Sequence, residues 1–407
     1  MCAEDARPGM SAPTASDGTM VLDIGGLQLA TSSPGFAEAI ARAYQQRVRP
    51  RCLCRREGIA MYLSRHGDGY IVKRMPGTGH DHAPDCPSFE PAADLTGLGP
   101  LLGTAIREDP ATGITTLRLD FSLSSRPGAA TPAQPARDAG PSARSSQRRL
   151  SLRNLLHYLW DQAGLTRWHP GFEGRRYWGT VRRQLLLAAQ PMCACGESLA
   201  TWLYVPEPFS VEHHDSIMAR RAQAWAGAAG TTTGLRRHLL LIAEVKELSP
   251  ARHGHRAIIK HLPDLAFALE ASLYRQLVHR FKEELALWST ADCTHMIMIA
   301  TFGLDAGGVP HVSELSLMTV NACWLPVETV AELQLVDSMV HQRRSFLRLL
   351  CYGRRPEAPI PCLAFTDRGD PAPLVYAPGF DEQNQAGCPG QTDRSDQPES
   401  QGPLPLA

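Results

Sequence analysis

Three cysteines and three histidines fall in one stretch, RCLCRREGIAMYLSRHGDGYIVKRMPGTGHDHAPDC, from Arg51 to Cys86. Thiolates and imidazoles are the side chains that hold zinc. Cys52 and Cys54 form a Cys-x-Cys pair, and His82 precedes Cys86 by four positions, a spacing usual for one half of a zinc site. Cys52, Cys54, His82 and Cys86 would therefore close a Cys3His sphere around one Zn²⁺. Four protein ligands leave no open coordination position, so such a site is structural and not catalytic. His80 is the alternative nitrogen ligand. The plainer reading is a few buried cysteines beside turn histidines.

The ligands can meet only if the chain folds back between them. IAMYLSRH and YIVKRM alternate as strands do, and Asp68-Gly69 between them is a strong turn dipeptide. Counted from Gly67, Cys54 and His80 are each thirteen residues away, and Cys52 and His82 each fifteen. One long hairpin is expected to bring Cys-Leu-Cys opposite His-Asp-His.

Two other patterns suggest chemistry. HLLLIAEVKEL (238–248) places Glu244 and Lys246 two apart on a strand, hence on one face. The pattern resembles the third-strand signature of restriction-endonuclease-like nucleases, which implies a carboxylate on Mg²⁺ and a lysine that helps activate water. No upstream aspartate stands on a convincing strand, with only Asp215 and Glu207 available, and a surface ion pair is the ordinary alternative. Between Arg148 and Arg183, eight arginines face only Asp161 and Glu173, a local +6. Arg167, Arg175, Arg176, Arg182 and Arg183 flank Trp168, Phe172, Tyr177 and Trp178, a mixture suited to phosphate contact and base stacking in DNA or RNA. The alternative is an ordinary solvated helix face. Cys193 and Cys195, with His213 and His214, form no convincing second metal set. His253 and His255 read as a turn at a strand entrance. There is no G-x-S-x-G elbow, Walker loop or Rossmann fingerprint.

These residues need scaffolds. FAEAIARAYQQRV (36–48) has helical spacing, and ITTLRLDF (114–121) reads as a strand. LRNLLHYLWDQAG and EGRRYWGTVRRQLLLAAQ read as two helices joined in a helix–turn–helix-like way, followed by strands and one long helix over 269–288. The expected fold is α+β: a small zinc-clipped hairpin module over 19–123, then a larger mixed domain over 150–379. Residues 1–18, 124–149 and 380–407 are polar and rich in Pro, Gly and Ser, and read as disordered segments.

The 41 basic residues balance 41 acidic ones, so any nucleic-acid contact must come from a local patch. No apolar run reaches the length of about 18 residues needed to span a membrane, and the first twenty residues lack the apolar core of a signal peptide. A cytoplasmic location is expected, where cysteine clusters favour metal over disulfides.

The runs CLC, RMPGTGHDHAPDC, LLHYLW, WHPGFEGRRYW, AEVKEL, KHLPD and WLPVE resemble an uncharacterised bacterial family, a domain of unknown function typical of plasmids and integrative conjugative elements. The resemblance spans about residues 20–377 and implies a genomic context more than an activity. The expectation that follows is a zinc-stabilised, non-enzymatic accessory protein of a mobile element, working near nucleic acid. The alternatives are a Mg²⁺-dependent nuclease on the Glu244 strand and a protein–protein adaptor of conjugation or maintenance machinery.

Overall fold

A computed structural model describes residues 19–66, 69–125, 148–228, 236–353 and 360–377. The protein is α+β, and most of its strand pairs are antiparallel. The first sheet has the order β2-β1-β3-β4-β5, from β1 (Val21–Ile24), β2 (Leu27–Ala30), β3 (Arg51–Cys52), β4 (Ile59–His66) and β5 (Gly69–Arg74). Helix α1 (Phe36–Gln45) packs on it through Ala39, Ile40 and Ala43, small and apolar residues on one helical face.

The β4–β5 hairpin forms with His66 opposite Gly69 and Met61 opposite Arg74. Residues 67 and 68 at its tip, including Asp68 of the expected turn, lie outside the described residues. The hairpin is shorter than expected. Strand β5 ends at Arg74, before Pro76, which has no N–H to give to a ladder. At the other end, Arg51–Cys52 is a strand of its own, with Cys52 opposite both Leu22 and Ile59. Gly58 makes the turn into β4 at φ +66°, where a Cβ would lie 3.1 Å from Arg51 Nε.

Helix α2 (Leu152–Gln162) starts at Ser151, whose hydroxyl accepts the Asn154 N–H at 3.2 Å. It is buried along Leu152 and Asn154–Trp160, so it lies inside the molecule and not on its surface. Helix α3 (Trp178–Ala189) packs against it. The largest sheet centres on Leu239–Pro250, antiparallel to both His255–Ile259 and His295–Leu304. Pro310–Val320 pairs with His295–Leu304 and bridges to Ala266–Leu269, so the ladder returns on itself. Leu239, Leu241, Ala243 and Val245 pack into one core with Phe267 and Phe302, whereas Leu240 and Ile242 pack into another with α2. That is the period-two alternation of a strand covered on both faces.

Three observations bear on the expected organisation. First, packing runs across residue 123. Ile106–Glu108 and Thr115–Leu117 join Met192–Ala194 and Glu197–Ser198 in one sheet, and Ile106, Leu117 and Phe121 share the core of α2 and α3. Leu347, Leu349 and Ala364 in turn complete the core of the first sheet. Second, α2 and α3 form no helix–turn–helix. Between them Arg167–Trp168 is a strand paired with Phe346–Arg348, and α3 begins at Trp178 rather than Glu173. Third, the long helix over 269–288 is two helices, Ala271–Arg280 and Lys282–Thr290, broken at Phe281, whose ring is buried in the core. Residues 1–18, 126–147 and 378–407 lie outside the described residues, and Ser124–Ser125 forms a strand with Arg236–Arg237. Among the described residues, no helix is long and apolar enough to cross a membrane.

Candidate metal centre

The first sheet brings the nominated ligands together by a different route from the one expected. Cys52 ends β3 and Cys54 sits in the turn that follows. His82 follows the 3-10 turn Gly79–Asp81, and Cys86 lies in the turn after that. Their ligand atoms all lie within 4.8 Å of one another. Cys52 Sγ is 3.7 Å from Cys86 Sγ, and His82 Nδ1 is 3.3 Å from Cys54 Sγ and 3.6 Å from Cys86 Sγ.

These separations test the fit of a zinc ion. Zn–S bonds of about 2.3 Å and Zn–N bonds of about 2.05 Å at tetrahedral angles set S···S near 3.8 Å and N···S near 3.6 Å. The Cys52–Cys86 and His82–Cys86 separations match, and His82–Cys54 is somewhat shorter. A disulfide would require sulfurs about 2.05 Å apart. Cys52, Cys86 and His82 are buried, and Cys54 is half-buried. His82 Nδ1 faces the sulfurs, while its buried Nε2 has no hydrogen-bond partner among the described residues. The ring turns its Nδ1 to the sulfurs, the orientation a ligand needs. His80, the alternative ligand, is exposed and sits beside Asp81 instead.

The backbone supports the sulfurs. Cys52 accepts the N–H of Cys54, Cys54 that of Ala83, and Cys86 that of Ser88. Hydrogen bonding from the Cys86 thiol, working against burial, pulls the Cys52 thiol down to about 4. The same hydrogen bond, together with burial, pushes Cys86 far up, and burial raises Cys54. A bound metal would displace the protons these thiols hold. Arg55 braces the outside: its guanidinium bonds the Asp81 carbonyl at 3.1 Å and pairs with Asp370. The residues fit a metal ion, and all four positions of the sphere are protein ligands.

The other nominated residues are placed differently. Glu244 is buried, with Lys260 Nζ and His295 Nδ1 each 2.8 Å from its Oε1. Lys246 is not its partner. The ladder slips between Val245 and Glu247, and Lys246 stands exposed at that bulge, so the expected shared face is lost. Burial alone would raise the Glu244 carboxyl, but the hydrogen bonds from His295 and Lys260 outweigh it and hold the group below its usual range. The strand pairs antiparallel with His255–Ile259 and His295–Leu304 and parallel with Leu203–Tyr204.

Three of the five nominated arginines serve as internal braces. Arg167 bonds the carbonyls of Pro87 and Phe89 at 3.2 and 2.8 Å. Arg176 bonds the carbonyls of Leu165 and Arg167 and lies over the rings of Trp168 and Phe172. Arg182 bonds the Val205 carbonyl at 3.0 Å. Only Arg175 and Arg183 are exposed. Sequence reasoning missed Arg348, a buried guanidinium bonded to the carbonyls of Pro326, Leu349 and Cys362 and paired with Glu332. An arginine inside the apolar run SFLRLL was the available signal. Among the described residues no second metal cluster forms, and Cys195 is exposed.

Fold and site together define an α+β protein with a Cys/His cluster whose ligand atoms could hold a metal ion. The chain belongs to the family described as "Protein of unknown function (DUF1173)", whose model matches residues 22–389. Neither the curated proteins nor the solved structures contain a match to it.

Proposed function

We propose that this chain is a zinc-stabilised accessory protein whose metal is structural and carries no chemistry of its own. One observation carries the reading: the ligand atoms of three cysteines and one histidine converge within 4.8 Å of one another, three of the separations close to those of tetrahedral zinc, in a largely buried site. Zinc is favoured over harder divalent ions because the donors are thiolates and imidazole, with no carboxylate among them. An ion there ties strand β3 to the 82–86 turn, which the modest core of the first sheet would otherwise hold alone.

Elemental analysis of the purified chain tests this. One equivalent of zinc is expected in the native protein, and its loss in both Cys52→Ser and Cys86→Ser. Full occupancy retained in both variants, or iron or copper in place of zinc, would overturn the reading.

A further inference from the structure

Beyond the metal centre lies a cavity of about 620 Å³, walled by the segment from Arg74 to Glu108, by α2 and by Leu347–Tyr352. Its size falls in the range of small-molecule sites, about 300–1,000 Å³. Leu98, Leu102 and Leu350 supply apolar wall. Three carboxylates, Glu90, Glu108 and Asp161, stand among them.

Three arginines and three carboxylates line this cavity, but they do not pair off one to one. Arg74 pairs with Glu90. Glu108 accepts a hydrogen bond from the Tyr158 hydroxyl at 3.2 Å, and Asp161 accepts one from Thr166 at 2.7 Å, both neutral donors. Neither Glu108 nor Asp161 forms an ion pair among the described residues. Arg348 also lines the cavity, but its guanidinium is taken up by three carbonyls and Glu332. Arg107, at the exposed rim, gives its Nε–H to the Gly103 carbonyl. Arg167 behind the wall is held by the Pro87 and Phe89 carbonyls. Tyr352, also in the wall, is 4% exposed and its hydroxyl has no partner among the described residues, an uncommon state for a buried polar group.

A divalent metal does not explain the arrangement, because among the described residues only the Cys/His set brings its ligand atoms close enough to share an ion. An apolar cavity with two carboxylates outside any ion pair, Asp161 feeling Arg74 and Arg167 only at longer range, asks for a cation with an apolar body. We propose that this cavity binds a small organic cation, an amine or amidine with an apolar body, its charged nitrogens facing Asp161 and Glu108. Burial of Glu90 and Asp161 raises both carboxyls, Glu90 to about 7, and a bound cation would relieve that cost. The site contains no metal ligand, so it stands or falls apart from the zinc reading.

Titration calorimetry on the zinc-loaded full chain tests it, with benzamidinium as probe and benzamide and benzoate as neutral and anionic isosteres. Benzamidinium should bind at least about tenfold more tightly than either isostere. Asp161→Asn should weaken it about tenfold or more, and Leu102→Trp, which fills the cavity without touching a charge, should block it. Circular dichroism melting of each variant separates lost binding from lost fold. Equal heats from all three probes, no heat at millimolar benzamidinium, or unchanged affinity in a folded Asp161→Asn protein would overturn the proposal.

Discussion

The Cys/His clip and the Glu244 cluster make an instructive pair. Both are built around antiparallel strands, and both set a buried or half-buried imidazole beside anionic or potentially anionic groups. In the clip, four electron-pair donors converge with no cation among them, and a metal ion would complete the balance. At Glu244 the protein supplies the cation itself. Lys260 and His295 close on the carboxylate, and the histidine rings are pinned flat: His295 against Trp324 with centroids 4.4 Å apart, and His261 against Trp178 at 5.4 Å. A buried cluster short of counter-charge is open to a ligand. One that carries its own counter-charge is a strut.

The sharpest test of this contrast is to remove the histidine of the clip. Structural zinc ties up on the order of 10 kcal/mol of apparent folding free energy. His82→Ala should therefore release zinc and strip amide-exchange protection from β1–β5, while His80→Ala should leave both unchanged. If His80→Ala behaves like His82→Ala, the assigned ligand is wrong.

A smaller effect is expected at Glu244. Glu244→Gln removes charge-assisted bonds from a buried site and should cost about 1–3 kcal/mol, while Lys246→Ala, at the exposed bulge, should cost under about 0.5 kcal/mol. The pH dependence has a definite sign. The folded carboxyl sits below its unfolded value, so its contribution is complete above the ordinary glutamate range near pH 4.5 and fades as pH falls through the depressed folded value. Glu244→Gln should flatten that acid limb in urea titrations. Equal losses in the two variants would mean that Glu244 is no strut.

The smallest effect belongs to the two exposed arginines. Arg175→Ala and Arg183→Ala should each change stability by under about 0.5 kcal/mol. If this face contacts nucleic acid, each should reduce the salt slope of binding by about one. A slope unmoved by either variant removes the basic face from consideration.

Rare residue types made the clip legible in the sequence. Three thiols and an imidazole at usable spacing leave few alternatives, whatever path joins them. The path itself was not legible, because nothing in Arg51–Cys52 shows that it pairs with Leu22, thirty residues earlier. Lys246 as the partner of Glu244 failed for a similar reason. A single-residue bulge overturns the period-two argument, and the true partner, Lys260, arrives from the neighbouring strand end. Aromatic-flanked arginines look alike in sequence whether they meet phosphate or backbone carbonyls, so Arg167 and Arg176 could not be told from Arg175. The acidic cavity had no signature at all, since Glu90, Glu108, Asp161 and Tyr352 are scattered over more than 260 positions.

The sharing of Leu347, Leu349 and Ala364 with the first sheet has a consequence during synthesis. A ribosome releases β1–β5 long before those residues exist, so the nascent sheet waits with part of its apolar face uncovered. The four metal ligands, by contrast, all lie between Cys52 and Cys86 and leave the tunnel well ahead of Leu347. An ion captured at that stage would act as a placeholder, holding the strands in register through the minute or less that translation of the remainder takes at about 5–20 residues per second. Zinc starvation should therefore lower the yield of newly made protein more than it harms protein already folded.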